Sequence, residues 1–388
     1  MTGHSPPDVF ADRRLLEIDY LPGRDRIVDR VELIARLDDA VNPIIFGRRP
    51  ERVLVSGHTG TGKTLCTRYV ANRVARYAAE QGVSAAVAHV DCLSVSTKTG
   101  VVRTVAADLN DPDTTGLSIP SRGLSLSAYD DRLRTVLEEC YDVVLFLFDR
   151  IDYAESFDVV ARIAELETDT CEVGSISISG DPTITDRMSN AVETALAERT
   201  FVFPPYDDTE LRTILERRQD AFRSDSLEDG VIQHVVELAS EGIPDARTAI
   251  ETLLVAGDIA RAEDADAVRT AFVPRAHKQV KSNRLREKFD QISGDTDRLL
   301  YALSTLTREE PDTDWFRTAR VYEAYTTLCR EQGDEPLTAR RIRDLLAHVA
   351  TLGITKRDDN WGGRAEGNYT SHQLLVEPDA VERAVDSQ

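Results

Sequence analysis

One segment of eight residues has the residue types and the spacing of a phosphate-binding loop. Gly57 to Thr64 reads GHTGTGKT, which matches G-x-x-x-x-G-K-[ST] and lies between a strand-like run, Arg52 to Ser56, and a helix-like run, Leu65 to Ala79. In such a loop, backbone N–H groups close around phosphate oxygens, the lysine reaches the β- and γ-phosphates, and the threonine hydroxyl ligates Mg²⁺. We therefore expect ATP, or retained ADP, with Mg²⁺ as the ligand. The expected loop contacts are Gly57, Thr59, Gly60, Thr61, Gly62, Lys63 and Thr64.

An apolar run that ends in a carboxylate supplies a second part of the same site. Val143 to Phe148 has the composition of a buried parallel strand, and Asp149 follows it directly. The carboxyl ends of parallel strands meet at one edge of a sheet, so Asp149 is the expected partner of Thr64 on Mg²⁺. The next residue is Arg150, and a guanidinium has no acceptor with which to serve as a general base.

Strand and helix patterns alternate in the first half of the chain, which is typical of an α/β layer fold with buried parallel strands. A helix is expected from Val31 to Leu37, and strands are expected over Arg52 to Ser56, Ala85 to Val90, Val143 to Phe148 and Ser175 to Ser179. After Tyr206 the strand signals stop, and helical patterns cover Asp208 to Phe222, Leu227 to Ser240 and Asp245 to Ala262. These helices predict a separate helical domain.

The C-terminal third has a different pattern. Pro274 to Lys288 is a basic island with Glu287 as its single acidic residue, and three helical patterns follow near Asp297 to Leu306, Thr318 to Gln332 and Thr338 to Leu352. Short strands then flank a glycine-rich tip from Trp361 to Gly367. Three helices followed by a β-hairpin predict a winged helix-turn-helix, although another small α+β domain can show the same pattern.

Composition narrows the protein class. The 388 residues are enough for two or three domains, with 68 acidic against 47 basic residues, a net charge of −21 and only six lysines. Acid excess with scarce lysine suggests a cytoplasm at high salt, while a GC-rich genome is the alternative reading. The five cysteines are scattered, and neither a signal core nor a long apolar run is evident. We expect a soluble cytoplasmic protein without a disulfide framework, a zinc site or a membrane partner.

Taken together, these motifs carry a resemblance to a known family. The phosphate loop, the Asp149 strand, Phe203-Pro-Pro-Tyr206, Leu211 to Leu215 (LRTIL) and Asp245 to Ala249 (DARTA) resemble the archaeal initiator family of AAA+ proteins. Its members are similar to origin recognition complex subunit one and cell-division-control protein six. The resemblance extends from about Tyr20 to the C-terminal hairpin. It implies an AAA+ base over residues 1–205, a helical lid with a basic connector helix over 206–288, and a C-terminal winged-helix domain over 289–388.

The resemblance also implies nucleotide contacts outside the phosphate loop. Tyr206 and Arg218 correspond to contacts at the junction of base and lid, and Arg247 corresponds to the sensor-two arginine that reaches the γ-phosphate. Val28 to Arg30 corresponds to the segment near the adenine, which makes Val28 and Arg30 expected contacts. For Arg218 and Arg247 the alternative is an ordinary arginine on a helix surface, which is common in so arginine-rich a chain.

Three departures from the family pattern all concern hydrolysis. The position of the catalytic glutamate is Arg150, the polar sensor-one position is Gly180, and the finger arginine is replaced by Ala191. Loss of a finger alone lowers turnover by roughly 10³ to 10⁵. We expect ATP to bind with very slow or absent hydrolysis, unless Arg187 takes the place of the finger. No residue is assigned a catalytic role.

DNA contacts are expected from the family and from charge. Arg340, Arg341 and Arg343 lie near the start of the third helix of the winged domain, where a recognition helix enters the major groove. Arg364 in the wing and Lys356 beside it are further expected contacts. Gly116 to Ser125 resembles the helical insertion of initiators that touches DNA, with Arg122 as its expected contact; the alternative is an ordinary surface loop.

The expected function is an ATP-binding initiator that recognises double-stranded origin DNA, with a replicative helicase or other initiator subunits as further partners. One alternative is a divergent paralogue that regulates DNA, or initiates plasmid replication, without loading a helicase. A second is an active AAA+ ATPase on a protein target, and a third is a structural DNA-packaging protein.

Overall fold

The computed structural model describes residues 8–164, 166, 168–289, 294–361 and 368–385. Contacts divide the chain into two compact units, residues 1–277 and 278–388. Among the helices of the described segments, none combines the length and the apolar character that crossing a bilayer requires.

A five-stranded parallel sheet forms the centre of the first unit. Its strands are β1 (Val53–Ser56), β2 (Ala85–Asp91), β3 (Val143–Asp149), β4 (Glu172–Ile178) and β5 (Arg199–Val202), in the spatial order β2-β3-β4-β1-β5. The four strands expected from the sequence are confirmed, and β5 is an additional edge strand. The surrounding helices are α1 (Val31–Val41), α2 (Lys63–Glu80), α3 (Lys98–Leu109), α4 (Pro112–Thr115), α5 (Leu126–Cys140), α6 (Phe157–Ala164) and α7 (Asn190–Leu196).

The sheet is buried on both faces because its central strand is apolar throughout. All seven residues of β3 are buried, and Val144, Phe146 and Phe148 join one core cluster while the alternate residues of β3 join another. The parallel register of β2 and β3 pairs Asp91 with Asp149 at the carboxyl ends of both strands. This pairing sets acidic side chains along the edge where the phosphate loop follows β1.

Helices α8 (Asp208–Glu216), α9 (Val231–Ala239) and α10 (Ala246–Ala262) follow the sheet, and we call them the lid. The pattern over Asp208 to Phe222 was expected to be one helix, but α8 ends at Glu216 and a short 3-10 turn, Gln219–Ala221, follows. Helix α11 (Val273–Phe289) contains the basic island and the point at which the second unit begins.

An N-terminal segment, residues 8–28, packs against the lid, and we call it the strap. Phe10 stacks on Phe222 with ring centroids 5.1 Å apart, and both rings lie close to Gly257 of α10. Two ion pairs also join the strap to the lid: Arg13 donates two hydrogen bonds to Asp258, and Arg26 pairs with Asp220. The packing of this segment on the lid is not predicted by any local pattern in the sequence.

The second unit contains α12 (Asp295–Glu309), α13 (Thr318–Gln332), α14 (Ala339–Thr351) and α15 (Pro378–Val385), together with β6 (Phe316–Arg317), β7 (Thr355–Trp361) and β8 (Asn368–Leu374). The strands form an antiparallel sheet in the order β6-β8-β7. Three helices and the β7-β8 hairpin confirm the expected winged-helix fold. The predicted DNA contact Arg364 lies outside the described residues.

Candidate nucleotide-binding site

A cavity of about 430 Å³ lies at the carboxyl ends of the strands, between the phosphate loop, the strap and the lid. This is the edge at which open α/β sheets bind ligands. Most of the side chains and loop residues predicted to contact nucleotide or metal line it: Val28, Thr59, Gly60, Gly62, Lys63, Thr64, Asp149, Tyr206, Arg218 and Arg247. The fold therefore brings together residues that are up to 219 positions apart in the chain.

The loop needs glycine at two positions because other residues approach its backbone. Gly60 and Gly62 have φ of +76° and +88°, in the left-handed region that favours glycine. A Cβ on Gly60 would lie 1.9 Å from Asp245 Oδ1, and a Cβ on Gly62 would lie 2.6 Å from the Tyr206 hydroxyl. Helix α2 begins at Lys63, directly after Gly62, so its first-turn N–H groups face the loop as an anion cradle.

Lys63 is held at the inner side of the loop. Its Nζ donates hydrogen bonds to the carbonyl oxygens of Gly57 at 2.7 Å and His58 at 2.6 Å. Burial lowers the pKa of Lys63 to about 8, against the opposing effect of nearby carboxylates, of which Asp149 is the strongest. A buried ammonium whose hydrogen-bond partners are neutral oxygens, two carbonyls and the Thr61 hydroxyl, is suited to take a phosphate as its counter-charge.

Thr64 and Asp149 form the part of the site that fits a metal. Thr64 Oγ1 donates to Asp149 Oδ2 at 2.9 Å, and His89 Nε2 lies 3.8 Å from the same oxygen. Burial opposes ionisation of Asp149, but the neighbouring His89 ring and the hydrogen bond from Thr64 hold its pKa below the ordinary value. An ionised carboxylate beside a hydroxyl, next to a phosphate cradle, is the donor set that Mg²⁺ takes together with phosphate oxygens. The residues present therefore fit Mg²⁺ and nucleotide.

Two residues that follow Asp149, Arg150 and Asp152, make contacts that do not leave them as a general base for ATP hydrolysis. Arg150 adopts a left-handed conformation with φ of 56°, and its Nε donates to Asp91 Oδ1 at 2.7 Å. Asp152 Oδ1 accepts the backbone N–H of Gly180 at 3.0 Å. At the position expected for a catalytic glutamate, the cavity wall therefore has the Arg150–Asp91 ion pair. At the position expected for a polar sensor, it has the Gly180 N–H, which donates to Asp152.

The lid side of the cavity carries the three predicted contacts of that region. Tyr206 is buried, which raises the pKa of its hydroxyl, and its ring lies 3.8 Å from the Arg30 guanidinium carbon. Arg218 is also buried, and its Nη1 donates to the Ile214 carbonyl at 3.0 Å. Arg247 pairs with Glu251 one turn along α10, with 3.0 Å between Nε and Oε1.

Arg30 needs a correction, because it supports the loop instead of lining the cavity. Its side chain is buried and donates to the carbonyl oxygens of Thr61 at 3.2 Å and Pro204 at 2.8 Å. Among the described residues, Gly57 and Thr61 are likewise part of the loop without lining the cavity. The expected direct nucleotide contact at Arg30 is replaced by a contact that fixes the loop and the Tyr206 ring.

Apart from Val28, the cavity residues of the strap were not predicted from the sequence, and neither were two residues of β2. Glu17 to Leu21, Arg26, Ile27, His89 and Asp91 all line the cavity. Among its lining residues the cavity has six cationic side chains against five carboxylates, in a chain with a large acid excess. Asp91, the acidic residue at the end of β2, stands out in the sequence only once the register of β2 with β3 is known.

The position expected for a finger arginine lies elsewhere on the first unit. Ala191 is exposed at the start of α7 and lines a broad groove of about 650 Å³ together with residues of α5 and α6. Arg187, the alternative finger, lies 3.6 Å from Asp181 and beside the Phe157 ring. Neither residue lines the nucleotide cavity.

The predicted DNA contacts within the described chain are exposed. Arg340, Arg341 and Arg343 lie on the first two turns of α14, and Lys356 lies on β7 with its Nζ 5.8 Å from the Trp315 ring. In the first unit, Arg122 is exposed in the loop before α5, which Arg103 anchors through the Ser121 carbonyl at 2.8 Å.

Three family models match successive parts of the chain. They are the AAA domain over residues 48–188, the Cdc6 AAA+ ATPase-type lid domain over 212–278, and the CDC6 C-terminal winged helix domain over 296–384. The winged-helix and lid assignments made from the β-hairpin and the helical patterns agree with these matches.

Similar proteins cover nearly the whole chain. ORC1-type DNA replication protein 9 of Haloarcula marismortui is 35% identical over 98% of this chain and 92% of its own length. ORC1-type DNA replication protein 4 of Halobacterium salinarum is 33% identical over 97% and 92%. Among solved structures, the Aeropyrum pernix ORC1 protein in complex with DNA has a TM-score of 0.80 at 28% identity, with coverage of 98% and 97%.

Proposed function

Because the chain belongs to the family of ORC1-type DNA replication proteins, we propose that it recognises origin DNA and binds ATP with Mg²⁺ as a conformational ligand, with little or no hydrolysis. The observation that carries this proposal is that one cavity contains the groups suited to bind nucleotide and, among the described residues that line it, lacks the groups needed to hydrolyse it. Lys63, Thr64 and Asp149, the groups proposed to hold phosphate and metal, line this cavity together, whereas the position expected for the general base is Arg150.

Weak hydrolysis follows from the contacts around the expected γ-phosphate. A water nucleophile needs an acceptor to orient it, and Arg150 offers only donors, which are directed to Asp91. Gly180 has no side chain, and its N–H is taken by Asp152. Bound nucleotide would then bias the position of lid residues such as Arg247, which is the action of a switch and not of a motor.

DNA recognition is supported by the exposed arginines of α14 and by the relative from Aeropyrum pernix, whose structure contains DNA. At molar salt the counterion-release contribution of phosphate contacts is small. We therefore assign more of the affinity to base-edge contacts from Arg340, Arg341 and Arg343. Lys356, Arg364 and Arg122 are proposed as additional contacts.

We also propose the division into a base (1–205), a lid with connector helix (206–288) and a winged-helix domain (289–388). Each of the three matched ranges falls inside one of these segments. Other initiator subunits or a replicative helicase are proposed partners.

The test is to crosslink the tagged protein to DNA in its own cells, precipitate it and sequence the recovered DNA. A few sharp intergenic peaks that act as start sites of replication support the proposal. Sharp peaks at sites that never start replication would favour a DNA-binding regulator. Diffuse recovery would contradict site-specific recognition.

A further inference from the structure

We propose that Arg150 is a specificity-determining residue that exchanges Asp91 for the terminal phosphate of a nucleoside triphosphate. In this view Asp91 and Arg150 form a latch that a triphosphate opens and a diphosphate leaves closed. The inference rests on the proposed nucleotide-binding function and adds to it a preference for ATP over ADP.

The geometry places Arg150 beside the expected metal site. It follows Asp149 directly, lines the same cavity as Lys63 and Thr64, and has its backbone N–H bonded to Asp149 Oδ1 at 2.9 Å. Its left-handed backbone, with φ of 56°, is unfavourable for a non-glycine residue, and such conformations concentrate at ligand sites. The guanidinium therefore extends from a fixed point next to the metal ligand.

The ion pair between Arg150 and Asp91 has good geometry, but Arg150 can leave it for another anion. Nε donates to Asp91 Oδ1 at 2.7 Å and Nη2 donates to Oδ2, in a bidentate pair. The Arg150 side chain keeps 37% of its surface exposed, so solvent weakens the pair. Asp91 also accepts the Leu93 N–H at 3.1 Å and the Ser94 hydroxyl at 2.6 Å, so it stays hydrogen-bonded when Arg150 leaves.

Competition between two anions decides where the guanidinium lies. A terminal phosphate carries about −1.5 to −2 charges at neutral pH and three acceptor oxygens, whereas a carboxylate carries one charge and two oxygens. The arginine guanidinium can donate two parallel hydrogen bonds either to a carboxylate or to a phosphate. With the α- and β-phosphates on the loop, the γ-phosphate of a triphosphate would lie toward the cavity wall that contains Asp149 and Arg150, and a diphosphate has no group at that position. Arg150 thus adds affinity for the triphosphate alone.

The test measures Mg²⁺-ATP and Mg²⁺-ADP affinities by calorimetry for the full chain and three variants. Arg150→Ala should weaken ATP binding about tenfold, as for the loss of one partly exposed charged contact, and change ADP binding less than about twofold. Asp91→Asn removes the competing charge while keeping an acceptor for Leu93, and it should strengthen ATP binding about threefold to tenfold. In the double variant Arg150→Ala with Asp91→Asn, the ATP affinity should equal that of Arg150→Ala alone.

A matched control lies outside the cavity. Arg162 pairs with Asp130 at 2.6 Å between α6 and α5, so Arg162→Ala removes a comparable surface pair and should leave both affinities unchanged. Thermal unfolding of each variant shows whether it is folded, and Arg150→Lys, which keeps the charge, should retain part of the ATP preference.

Two results would overturn the latch. The first is an equal loss of ATP and ADP affinity in Arg150→Ala, which would make the pair a structural link between β2 and β3. The second is weaker ATP binding in Asp91→Asn. If the unaltered protein binds neither nucleotide, the proposed nucleotide-binding function fails together with the latch, and that result differs from both of the others.

Discussion

Thr64 and Asp149 are joined by a hydrogen bond of 2.9 Å between Oγ1 and Oδ2, although 85 positions separate them in the chain. Thr64 is the second residue of helix α2, and Asp149 is the last residue of the central strand β3. The bond fixes the distance between two oxygen ligands at the spacing that a shared divalent cation needs. The sheet thus organises the proposed metal site, and the predictions below test what this site binds.

Lys63→Ala should lower the affinity for Mg²⁺-ATP by about 100-fold or more, because it removes a buried ammonium that makes charge-assisted contacts. DNA affinity should fall only in part. Fluorescence anisotropy with labelled nucleotide and labelled DNA measures both. Lys98→Ala, an exposed lysine at the start of α3, is the matched control. Equal nucleotide loss in the two variants would contradict the role of Lys63.

Arg341→Ala should weaken binding to the recovered DNA site by roughly 1–3 kcal/mol if the side chain contacts a base edge. Nucleotide binding should not change, since Arg341 belongs to the winged-helix fold of the second unit. Arg383→Ala on α15 gives a charge-matched comparison. If Arg341→Ala affected DNA and nucleotide binding alike, the assumed separation of the two sites would be wrong.

The double variant Arg150→Glu with Gly180→Asn should raise ATP turnover at least about tenfold, since a general base contributes roughly 10² to 10⁴. Gly180 can accept a side chain because a Cβ there meets its nearest atom, Asp152 Oδ2, at 3.7 Å. The gain should vanish when Lys63→Ala is added. Rapid multiple turnover by the unaltered chain, lost in Lys63→Ala, would refute the proposed weak hydrolysis.

His372 should make the stability of the second unit pH-dependent. Burial lowers its pKa to about 4, whereas an unfolded histidine titrates near 6.5, so the unfolded state binds more protons between these values. The free energy of unfolding is therefore highest above about pH 6.5 and falls as the pH decreases toward 4, by on the order of 3 kcal/mol from this group.

Urea unfolding followed by tryptophan fluorescence measures this effect, because both tryptophans, Trp315 and Trp361, lie in the second unit. His372→Gln should flatten the dependence on pH while keeping a polar partner for Thr318, whose Oγ1 lies 3.0 Å from His372 Nε2. An unchanged slope in this variant would assign the effect to other groups.

Gly257→Ala should destabilise the first unit by about 1–3 kcal/mol, although alanine favours helices. A Cβ at this position of α10 would lie 2.3 Å from Phe10 Cζ, so the ring of the strap must move. In a Phe10→Ala background the same change should cost less, because only the Phe222 ring, with Cε1 at 3.0 Å, still lies close to the added Cβ. A double-mutant cycle by chemical unfolding measures the coupling, and additive effects would contradict the seating of Phe10 against Gly257.

The sequence predicts the loop, the metal carboxylate and four strands because each has a local signal: a glycine spacing, a terminal aspartate or an apolar run. Strand β5 escapes prediction because its four residues are mostly exposed and only Phe201 is buried. Arg30 was assigned to the wrong contact because its burial depends on the Thr61 and Pro204 carbonyls, which only the folded chain brings together. The strap has no periodic pattern, and its partners lie about 200 residues away in the sequence, so no local signal predicts its packing.

The packing of the strap on the lid has a consequence for synthesis of the chain. Phe10 is among the first residues made, but its partner Phe222 emerges 212 residues later. At about 5–20 residues per second, this interval is roughly 10–40 s, during which the sheet can form while the phenylalanine has no place to bury its ring. The candidate nucleotide cavity is therefore completed late in translation, when the N-terminal strap docks onto the newly made helices of the lid.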